Sequence, residues 1–258
     1  MAAEEKVVKD ADLSAKQILE KNEDNQMYSD IVAEATLETS GGKRKPAKKQ
    51  FNWWRKLKSD KKSHDILTRF NEPAEIRNES ILILEKPGED NEVFIYLPKF
   101  KKIRRVESRS QNSSFMGSDF SYSDVSSVHV DDYDLKREKD DKCPFEKDKS
   151  CFQLMATPKT DSVRLRTGYK RLQIWIREKT FSTDRIHYFD MEDKLLKRLD
   201  SGDTKLLDEA NKRYFSHLMI MNHLPSGQKT EMHFSKVKFN TGLKDKMFTK
   251  QSMENEGL

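Results

Sequence analysis

The chain has 258 residues, which is long for one typical domain and short for two, so length leaves the domain count open. A charged fraction of 36% and a mean hydropathy of −0.92 make it polar, yet 14 Phe, 7 Tyr and 3 Trp residues exclude a disordered chain. The net charge of +5 is too small to require a nucleic-acid partner. The sequence contains no apolar run of about 18 residues, which is the length that spans a membrane.

The chain opens MAAEEKVVKD, which lacks the apolar stretch of a signal peptide. Ala2 and Ala3 resemble what remains after cleavage at a small-residue site, so we hypothesise a mature exported protein with Met1 as an added start. The segment 12–25 then predicts a short amphipathic helix, in which Ser14 caps the first turn.

A series of strands is predicted after this helix. Alternation over 31–39 predicts the first strand, and the segments 50–60 and 63–71 predict a charged antiparallel pair. SILILEKPGEDNEVFIYLPKF predicts a hairpin over 80–100, with its loop at 87–91. Both faces of this hairpin are apolar, which indicates that both sides of the sheet are covered there.

Further elements extend the pattern to the end of the chain. A short helix is predicted over 160–169 and a closing helix over 243–255. Strands are predicted over 127–139, 151–159, 171–180, 184–192, 194–200, 214–224 and 229–240. About eleven short, regularly spaced strands without βα alternation predict a mainly β fold with flanking helices, in which residues 1–258 form a single domain.

Cys143 and Cys151 lie eight residues apart in KCPFEKDKSCF. In an oxidising compartment they could close a disulfide loop that is worth roughly 2–3 kcal/mol. Free thiols and half of a zinc site are the alternatives. The disulfide is favoured because neither a CxxC pair nor nearby paired histidines support a metal.

Catalytic motifs are missing from the sequence. Ser113, Ser114 and Ser118 surround Gly117, but the spacing and context of a nucleophile elbow are not there. The six histidines form neither HxxxH nor HExxH. An enzyme is therefore disfavoured, and no cofactor or metal is predicted.

One face of the predicted strand HLMIMNH carries alternating histidine and methionine side chains: His217, Met219, Met221 and His223. With a turn at 225–228, Met221 would lie opposite Met232 and Met219 opposite Phe234. Core packing, a lipid-accommodating cavity and a copper site are three interpretations of this face, in decreasing order of support. Flexible methionine suits a surface that accepts variable apolar shapes.

Basic side chains cluster after the hairpin, and we call this set the basic patch: Lys99, Lys101, Lys102, Arg104 and Arg105. A solvated strand face is the plainest interpretation, because no nucleic-acid motif accompanies the cluster. In an exported protein the basic patch could instead meet anionic lipid head groups or an acidic partner surface.

The segment 111–125, QNSSFMGSDFSYSDV, interleaves serine and aspartate with Phe115, Met116, Phe120 and Tyr122. Gly117 permits a tight turn, and Ser118 and Asp119 can bond to the local backbone. We predict an ordered flap that closes one edge of an apolar cavity, with its apolar side chains turned inward and its polar side in water.

Several blocks together resemble the LolA-like family of periplasmic outer-membrane lipoprotein-sorting proteins: VFIYLPKFKKIRRV, SSFMGSDFSYSDV, CFQLMATPK, RIHYFDMEDKLLKRL, MIMNHLPSGQKTEMHFSKVKFNTGL and DKMFTKQSME. The resemblance covers most of 81–254 in the same order. It implies a half-open, strongly curved antiparallel β-barrel whose concave apolar face is covered by helices and loops.

The resemblance implies a periplasmic carrier that binds acyl chains of lipids or lipoproteins for transport to the outer membrane. Its partners would be an inner-membrane exporter and an outer-membrane acceptor, and the chain would be a monomer. Whether the longer precursor carries a lipid anchor is left open. A sensor or binding module of the same fold, associated with an exporter of the resistance-nodulation-division type, is the second hypothesis.

Large apolar and aromatic side chains from the predicted strands and flap are the candidates to line the cavity. They are Trp53, Trp54, Phe94, Tyr96, Phe115, Met116, Phe120, Trp175, Met219, Met221, Met232 and Phe234. Such a cavity would bind an acyl chain mainly by burying apolar surface, at roughly 25 cal/mol per Å².

Overall fold

The computed structural model describes residues 12–86 and 89–255. These residues form a 14-stranded antiparallel sheet and three α-helices. The helices are α1 (Ala15–Asp24), α2 (Asp161–Thr167) and α3 (Lys250–Met253). The strands are β1 (Asp30–Gly41), β2 (Ala47–Leu57), β3 (His64–Glu72), β4 (Ser80–Leu84), β5 (Glu92–Leu97), β6 (Lys102–Val106), β7 (Tyr133–Arg137), β8 (Asp141–Lys142), β9 (Ser150–Pro158), β10 (Arg171–Arg177), β11 (Thr183–Phe189), β12 (Leu195–Asp208), β13 (Arg213–His223) and β14 (Gln228–Phe239).

The sheet is open, with β6 at one edge and β7 at the other. Its order is β6-β5-β4-β3-β2-β1-β14-β13-β12-β11-β10-β9-β7, and β8 pairs with β9 beside this path. Strands β4 and β10 lie eight places apart in this order, which would separate them by about 38 Å in a flat sheet. Ile83 of β4 and Ile174 of β10 nevertheless line one cavity. The sheet is therefore curled into a half-open barrel, as the sequence predicts.

The helix predicted over 12–25 is present as α1. Ser14 is its N-cap: its hydroxyl accepts from the amide of Gln17, and the Gln17 side chain accepts in return from the Ser14 amide. This reciprocal capping box satisfies two donors that a helix N-terminus otherwise leaves free. The short helix predicted over 160–169 is present as α2.

Four strands differ from their predictions. Strand β12 runs on to Asp208, well beyond 194–200, and only Tyr133–Arg137 of the segment 127–139 is a strand. Strands β6 and β8 are present but were not predicted. The residues of β6 were interpreted only as a charged patch. Residues 87 and 88 of the predicted hairpin loop, and residues 1–11 and 256–258 of the predicted domain, lie outside the described residues.

The closing helix predicted over 243–255 is reduced to the single turn of α3. The carboxylate of Asp30 accepts hydrogen bonds from the amides of Thr241, Gly242 and Leu243, which holds the chain extended before this turn. Helix-forming residues in the segment suggested a helix, but tertiary bonding to Asp30 overrides that weak local preference.

Apolar side chains pack on both faces of the curled sheet. The inner cluster fills the concave face and includes Phe51, Ile83, Phe115 and Ile174. The outer cluster lies on the other face of strands β2–β5: Trp54, Leu67, Leu82, Phe94, Tyr96, Phe248 and Met253. Paired residues on adjacent strands form one row of it, from Trp54 through Leu67 and Leu82 to Phe94. Both sides of the hairpin are thus covered, as its two apolar faces predict.

Cys143 and Cys151 are joined as a disulfide. The loop that it closes places the amides of Phe145 and Glu146 on the buried carboxylate of Asp184. The Phe145 ring packs against Gly202, where an added Cβ would lie 2.8 Å from the ring. This corner of the sheet therefore depends on glycine at position 202.

Candidate binding cavity

A cavity of ≈ 200 Å³ lies between the concave face of the sheet, helix α1 and the segment 111–132, which we call the cover segment. Its apolar wall comes from strands along most of the sheet and from both covering elements. The apolar lining residues are Leu19, Ile31, Phe51, Trp53, Ile66, Ile83, Phe115, Phe120, Val125, Val128, Ile174, Ile186, Tyr188, Leu199, Phe215, Met219, Met232 and Phe234.

The first half of the cover segment forms a tight loop that directs two phenylalanines into the cavity. Phe115 donates its amide to the carbonyl of Phe120 at 2.7 Å, and the hydroxyl of Ser118 bonds to the carbonyl of Phe115. Between them the chain turns through positive φ at Met116 and Gly117. Glycine adopts such angles without strain, so the turn needs Gly117.

The buried Asp119 attaches this loop to the beginning of β14. The amide of Asp119 donates to the hydroxyl of Thr230, and that hydroxyl donates to the Asp119 carboxylate at 2.6 Å. Thr39 of β1 lies 3.0 Å from the same hydroxyl. The loop is thereby attached to the β1–β14 pair at the apolar end of the cavity.

A second aspartate attaches the middle of the cover segment to the opposite wall. Asp124 accepts from the hydroxyl of Tyr169 at 2.7 Å, from the Lys197 ammonium at 3.1 Å and from the amide of Ser121. Burial raises the pKa of Tyr169 well above its usual value, so this hydroxyl stays protonated and donates. The positive charge of Lys197 offsets the desolvation cost of burying the Asp124 carboxylate.

Glu85, which follows β4, attaches the end of the cover segment. One carboxylate oxygen accepts from the Ser127 amide at 2.7 Å, and the other accepts from the His64 amide at 2.8 Å and lies 3.5 Å from Nε2 of His129. Burial opposes its charge, but the bond and charge of His129 outweigh burial and hold the pKa of Glu85 well below its usual value. Burial likewise opposes the imidazolium of His129, yet Glu85 raises the pKa of that ring.

Arg55, which lines the cavity, and His64, which lies behind it, are neighbours of Glu85. Burial, reinforced by the positive charge of Arg55, lowers the pKa of His64 to about 4, so the ring is neutral. Its Nε2 donates to the carbonyl of Gln26, which leaves Nδ1 to accept from Nη2 of Arg55 at 3.0 Å. The same guanidinium nitrogen donates to the Ser127 hydroxyl at 3.2 Å.

Helix α1 is held over the cavity by polar side chains at its C-terminal end. The carboxylate of Glu23 accepts from the Val130 amide of the cover segment at 2.8 Å. Asn22 and Asn25 donate to the carbonyls of Phe181 and Thr180, both at 2.7 Å. The helix therefore joins the cover segment to the turn between β10 and β11.

Half of the predicted cavity residues are in its wall. Trp53, Phe115, Phe120, Met219, Met232 and Phe234 line the cavity. Met116 and Met221 pack in the inner cluster without lining the cavity, and Met221 is fully buried. Met116 occupies the turn itself, at positive φ.

Four predicted cavity residues lie elsewhere. Trp54, Phe94 and Tyr96 belong to the outer cluster, and Trp175 packs edge-on against His187, with 4.8 Å between ring centres. Successive side chains of a strand point to opposite faces, so Trp53 and Trp54 could not both face the cavity. Trp175 is similarly the outward neighbour of Ile174.

The predicted register between β13 and β14 is wrong by two residues. Met219 pairs with Met232, and Met221 pairs with Thr230. The connecting turn occupies 224–227, with Gly227 at positive φ, in place of 225–228. A shift of two residues keeps every side chain on its predicted face, so two methionines still meet in the cavity wall.

The two histidines of this strand are not positioned to share a metal ion. His217 contacts the carbonyl of Asp203, and His223 contacts the hydroxyl of Ser226 at the hairpin end. Their spacing along β13 corresponds to about 20 Å. A shared copper site on this face is therefore ruled out by distance.

The basic patch lies at the β6 edge of the sheet, away from the cavity, and its members are exposed. Arg105 approaches Glu92 of the neighbouring strand at 3.5 Å. This position agrees with the interpretation as a solvated strand face.

Sequence reasoning missed the buried and half-buried polar residues of the site: Glu23, Tyr28, Arg55, His64, Glu85, Asp124, His129 and Lys197. The available signal was the alternation Phe51, Trp53, Arg55, which places a charged residue at an inward position of β2. Glu85 directly after the apolar strand SILIL was a second signal.

Comparison with solved structures identifies the class of the fold. A domain from Vibrio parahaemolyticus described as an outer membrane lipoprotein-sorting protein is 23% identical, with a TM-score of 0.84 over 93% of this chain and 98% of that one. A LolA superfamily protein from Nitrosomonas europaea gives 18% identity and a TM-score of 0.71 over 93% and 99%. The chain therefore has the LolA-like fold.

The family is also identified. A family model described as "uncharacterized protein" matches residues 62–255, and the chain belongs to this DUF1329-like family. A DUF1329 family protein from Desulfovibrio piger is 24% identical, with a TM-score of 0.85 over 93% of this chain and 97% of that one. Among curated proteins no sequence matches. Within the described residues, helices long and apolar enough to cross a membrane are not found.

Proposed function

We propose that this protein is a periplasmic carrier that binds the acyl chains of lipids or lipoproteins and delivers them to the outer membrane. The observation that carries the proposal is the apolar cavity between the concave sheet, α1 and the cover segment. Burial of each methylene contributes about 0.8 kcal/mol, so a chain of modest length gains useful affinity without directional contacts. The LolA-like fold supports the proposal as an analogy of architecture.

Loading and release require the cover segment or α1 to move, because both lie over the cavity. Their attachments are hydrogen bonds and ion pairs through Glu23, Glu85, Asp119 and Asp124. Such bonds can be exchanged for bonds to water at modest net cost. In this proposal, an inner-membrane exporter supplies the cargo and an outer-membrane acceptor receives it.

Purification without detergent followed by native mass spectrometry tests the binding step. Co-purifying lipid is expected, and it should be displaced by a fluorescent fatty acid. Met219→Lys places an ammonium in the apolar wall and should weaken fatty-acid binding at least about tenfold, since an unpaired charge is costly there. The matched control is Ile220→Lys, because the adjacent Ile220 pairs with Asp200 and Glu231 outside the cavity wall.

A transfer assay then separates carrier from sensor. Loaded protein is mixed with acceptor vesicles, and movement of the fluorescent fatty acid to the vesicles is followed over time. Transfer supports a carrier, whereas tight retention supports a binding or sensor module of the same fold. A cavity that never contains lipid and never binds the probe would count against both.

A further inference from the structure

Two buried hydrogen-bond donors in the cavity wall lack partners among the described residues. They are Nε of Arg55 and the hydroxyl of Tyr28. Arg55 is 7% exposed and Tyr28 is 2% exposed, and both residues line the cavity. A buried polar group without a partner is strongly disfavoured, so these donors call for an acceptor that the cavity supplies.

Within the described part of the chain, the charge of Arg55 also lacks a directly bonded carboxylate. The hydrogen-bond partners of its Nη2 are the neutral ring of His64 and the hydroxyl of Ser127. Glu85 supplies an opposing charge that acts on Arg55, but its two oxygens are engaged by the amides of Ser127 and His64 and by His129. Burial lowers the pKa of Arg55 to about 10, which agrees with a guanidinium that is only partly compensated.

The cavity is apolar at one end and polar at the other. Phe51, Trp53 and Arg55 are successive inward residues of β2, so Phe51 and Arg55 lie about 13 Å apart along the strand. Phe115 closes the apolar end beside Phe51, with 6.5 Å between ring centres. Tyr28 lies at the polar end, just before Ile31, which pairs with Arg55. A ligand that matches this arrangement is elongated, with one polar end.

We propose that Arg55 and Tyr28 form a subsite for the anionic head group, a carboxylate or a phosphate, of a single-chain amphiphile. Its alkyl chain runs along β2 toward Phe51 and Phe115. The subsite rests on the proposed acyl-binding function and specifies the head group of the ligand. Anionic oxygen accepts from guanidinium and phenol donors more strongly than a neutral oxygen does.

The test compares amphiphiles that share one alkyl chain and differ in the head group. Laurate, dodecyl phosphate and dodecanol displace a fluorescent apolar probe from the delipidated full chain at pH 8. At least one of the two anions should bind about tenfold or more tighter than the alcohol, as charge-assisted bonds predict. Preference for laurate indicates a free fatty acid as the source, and preference for dodecyl phosphate indicates a phospholipid-type head group.

Two variants test whether Arg55 and Tyr28 are responsible for the preference for anionic head groups. Arg55→Gln should bring the affinities of the anions to within about twofold of the affinity of the same variant for dodecanol. Tyr28→Phe removes only the hydroxyl, so it should reduce the preference several-fold in a folded protein even if Arg55→Gln does not fold. Arg109→Gln removes one exposed positive charge that is not part of the cavity wall and should keep the full preference.

The outcomes separate the subsite from the carrier. Equal affinity of the wild-type chain for the acid, the phosphate and the alcohol would overturn the subsite, with water serving the two donors, and would leave acyl binding standing. A preference that survives Tyr28→Phe and Arg55→Gln would also overturn it. Failure of all three amphiphiles to displace the probe would contradict the proposed function itself.

Discussion

The two apolar clusters of this sheet lie on opposite faces of strands β2–β5, which both share, and they are closed in different ways. The outer cluster is sealed by the segment 243–253, whose Phe248 and Met253 side chains are buried in it. Arg69 and Ser80 donate to backbone carbonyls at the end of that segment. The inner cluster is closed by the cover segment, which is attached through buried carboxylates and leaves a cavity.

This difference shows which cluster is available for binding. Protein interiors are normally packed as densely as organic crystals, and an unfilled apolar space lowers stability. The outer cluster follows that rule, with a continuous row from Trp54 to Phe94. The inner cluster departs from it where large apolar side chains and two unpartnered donors surround one space. Residues of the outer cluster should therefore matter for stability, and residues of the cavity wall for ligand binding.

Phe94→Ala is expected to have the largest effect. Phe94 is buried in the outer cluster, with the ammonium of Lys250 4.2 Å from its ring centre. Truncation should lower the free energy of unfolding by about 3–5 kcal/mol, because it creates a cavity in a packed region. Denaturant unfolding measures this loss, and fatty-acid affinity of the folded fraction should not change.

Phe234→Ala is the matched variant in the cavity wall. Phe234 already borders open space, so its truncation should cost clearly less stability than that of Phe94 and should alter fatty-acid affinity. The comparison fails if the two variants lose equal stability, or if Phe94→Ala weakens binding as much as Phe234→Ala does.

A pair of methionines on one strand sharpens the comparison. Met221 is fully buried, whereas Met219 is half-buried and lines the cavity. Met221→Ala should lower the free energy of unfolding by about 2–5 kcal/mol, and Met219→Ala by about 1 kcal/mol or less. Thermal or denaturant unfolding of the two variants gives the values. Similar losses would mean that both side chains are equally part of the packed core.

Much of the fold could be predicted from the sequence, and less of the site. Strand alternation and turn residues revealed most strands, and the two-sided hairpin correctly indicated cover on both faces. Assignment of faces failed at Trp54 and Trp175 because large aromatic side chains were assumed to face the cavity, although strand alternation forbids this for adjacent residues. The prediction of a closing helix was wrong because Asp30, distant in sequence, determines the conformation of 241–243.

The buried polar cluster could not be assembled from the sequence. Glu23, His64, Glu85 and His129 come from four separate parts of the chain, and each alone is an ordinary surface residue type. Their proximity depends on the curl of the sheet and on the path of the cover segment. Arg55 at an inward position of β2 and Glu85 directly after SILIL were the two local signs that charges would be buried.

The attachment of the cover segment should depend on pH. Burial lowers the pKa of His64 from 6.5 to about 4, so the folded chain binds fewer protons than the unfolded chain between these values. Stability from this group is therefore complete above pH 6.5 and is lost as the pH falls toward 4, by up to about 3 kcal/mol. Unfolding measured across this range should show the loss.

His64→Gln isolates that contribution, because glutamine stays neutral. The stability difference between wild type and variant should shrink as the pH falls from 7 to 4. Glu23, Glu85 and His129 also titrate in the cluster, but they are common to both proteins. A difference that stays constant with pH would show that His64 does not change its protonation in this way.

The smallest expected effect distinguishes neighbouring residues of the cover segment. The sequence predicts that Phe115 and Met116 both close the cavity, but only Phe115 lines it. Phe115→Leu roughly conserves apolar volume while leaving space beside Phe51 and Phe70, whose ring centres lie 6.5 Å and 6.2 Å from that of Phe115. It should weaken fatty-acid binding by about threefold, that is by less than 1 kcal/mol. Met116→Leu and Ser114→Ala should change affinity by less than about twofold, since neither residue lines the cavity wall. Equal effects of Phe115→Leu and Met116→Leu in the displacement assay would indicate that the loop acts as a whole, and not through the side chain that enters the cavity.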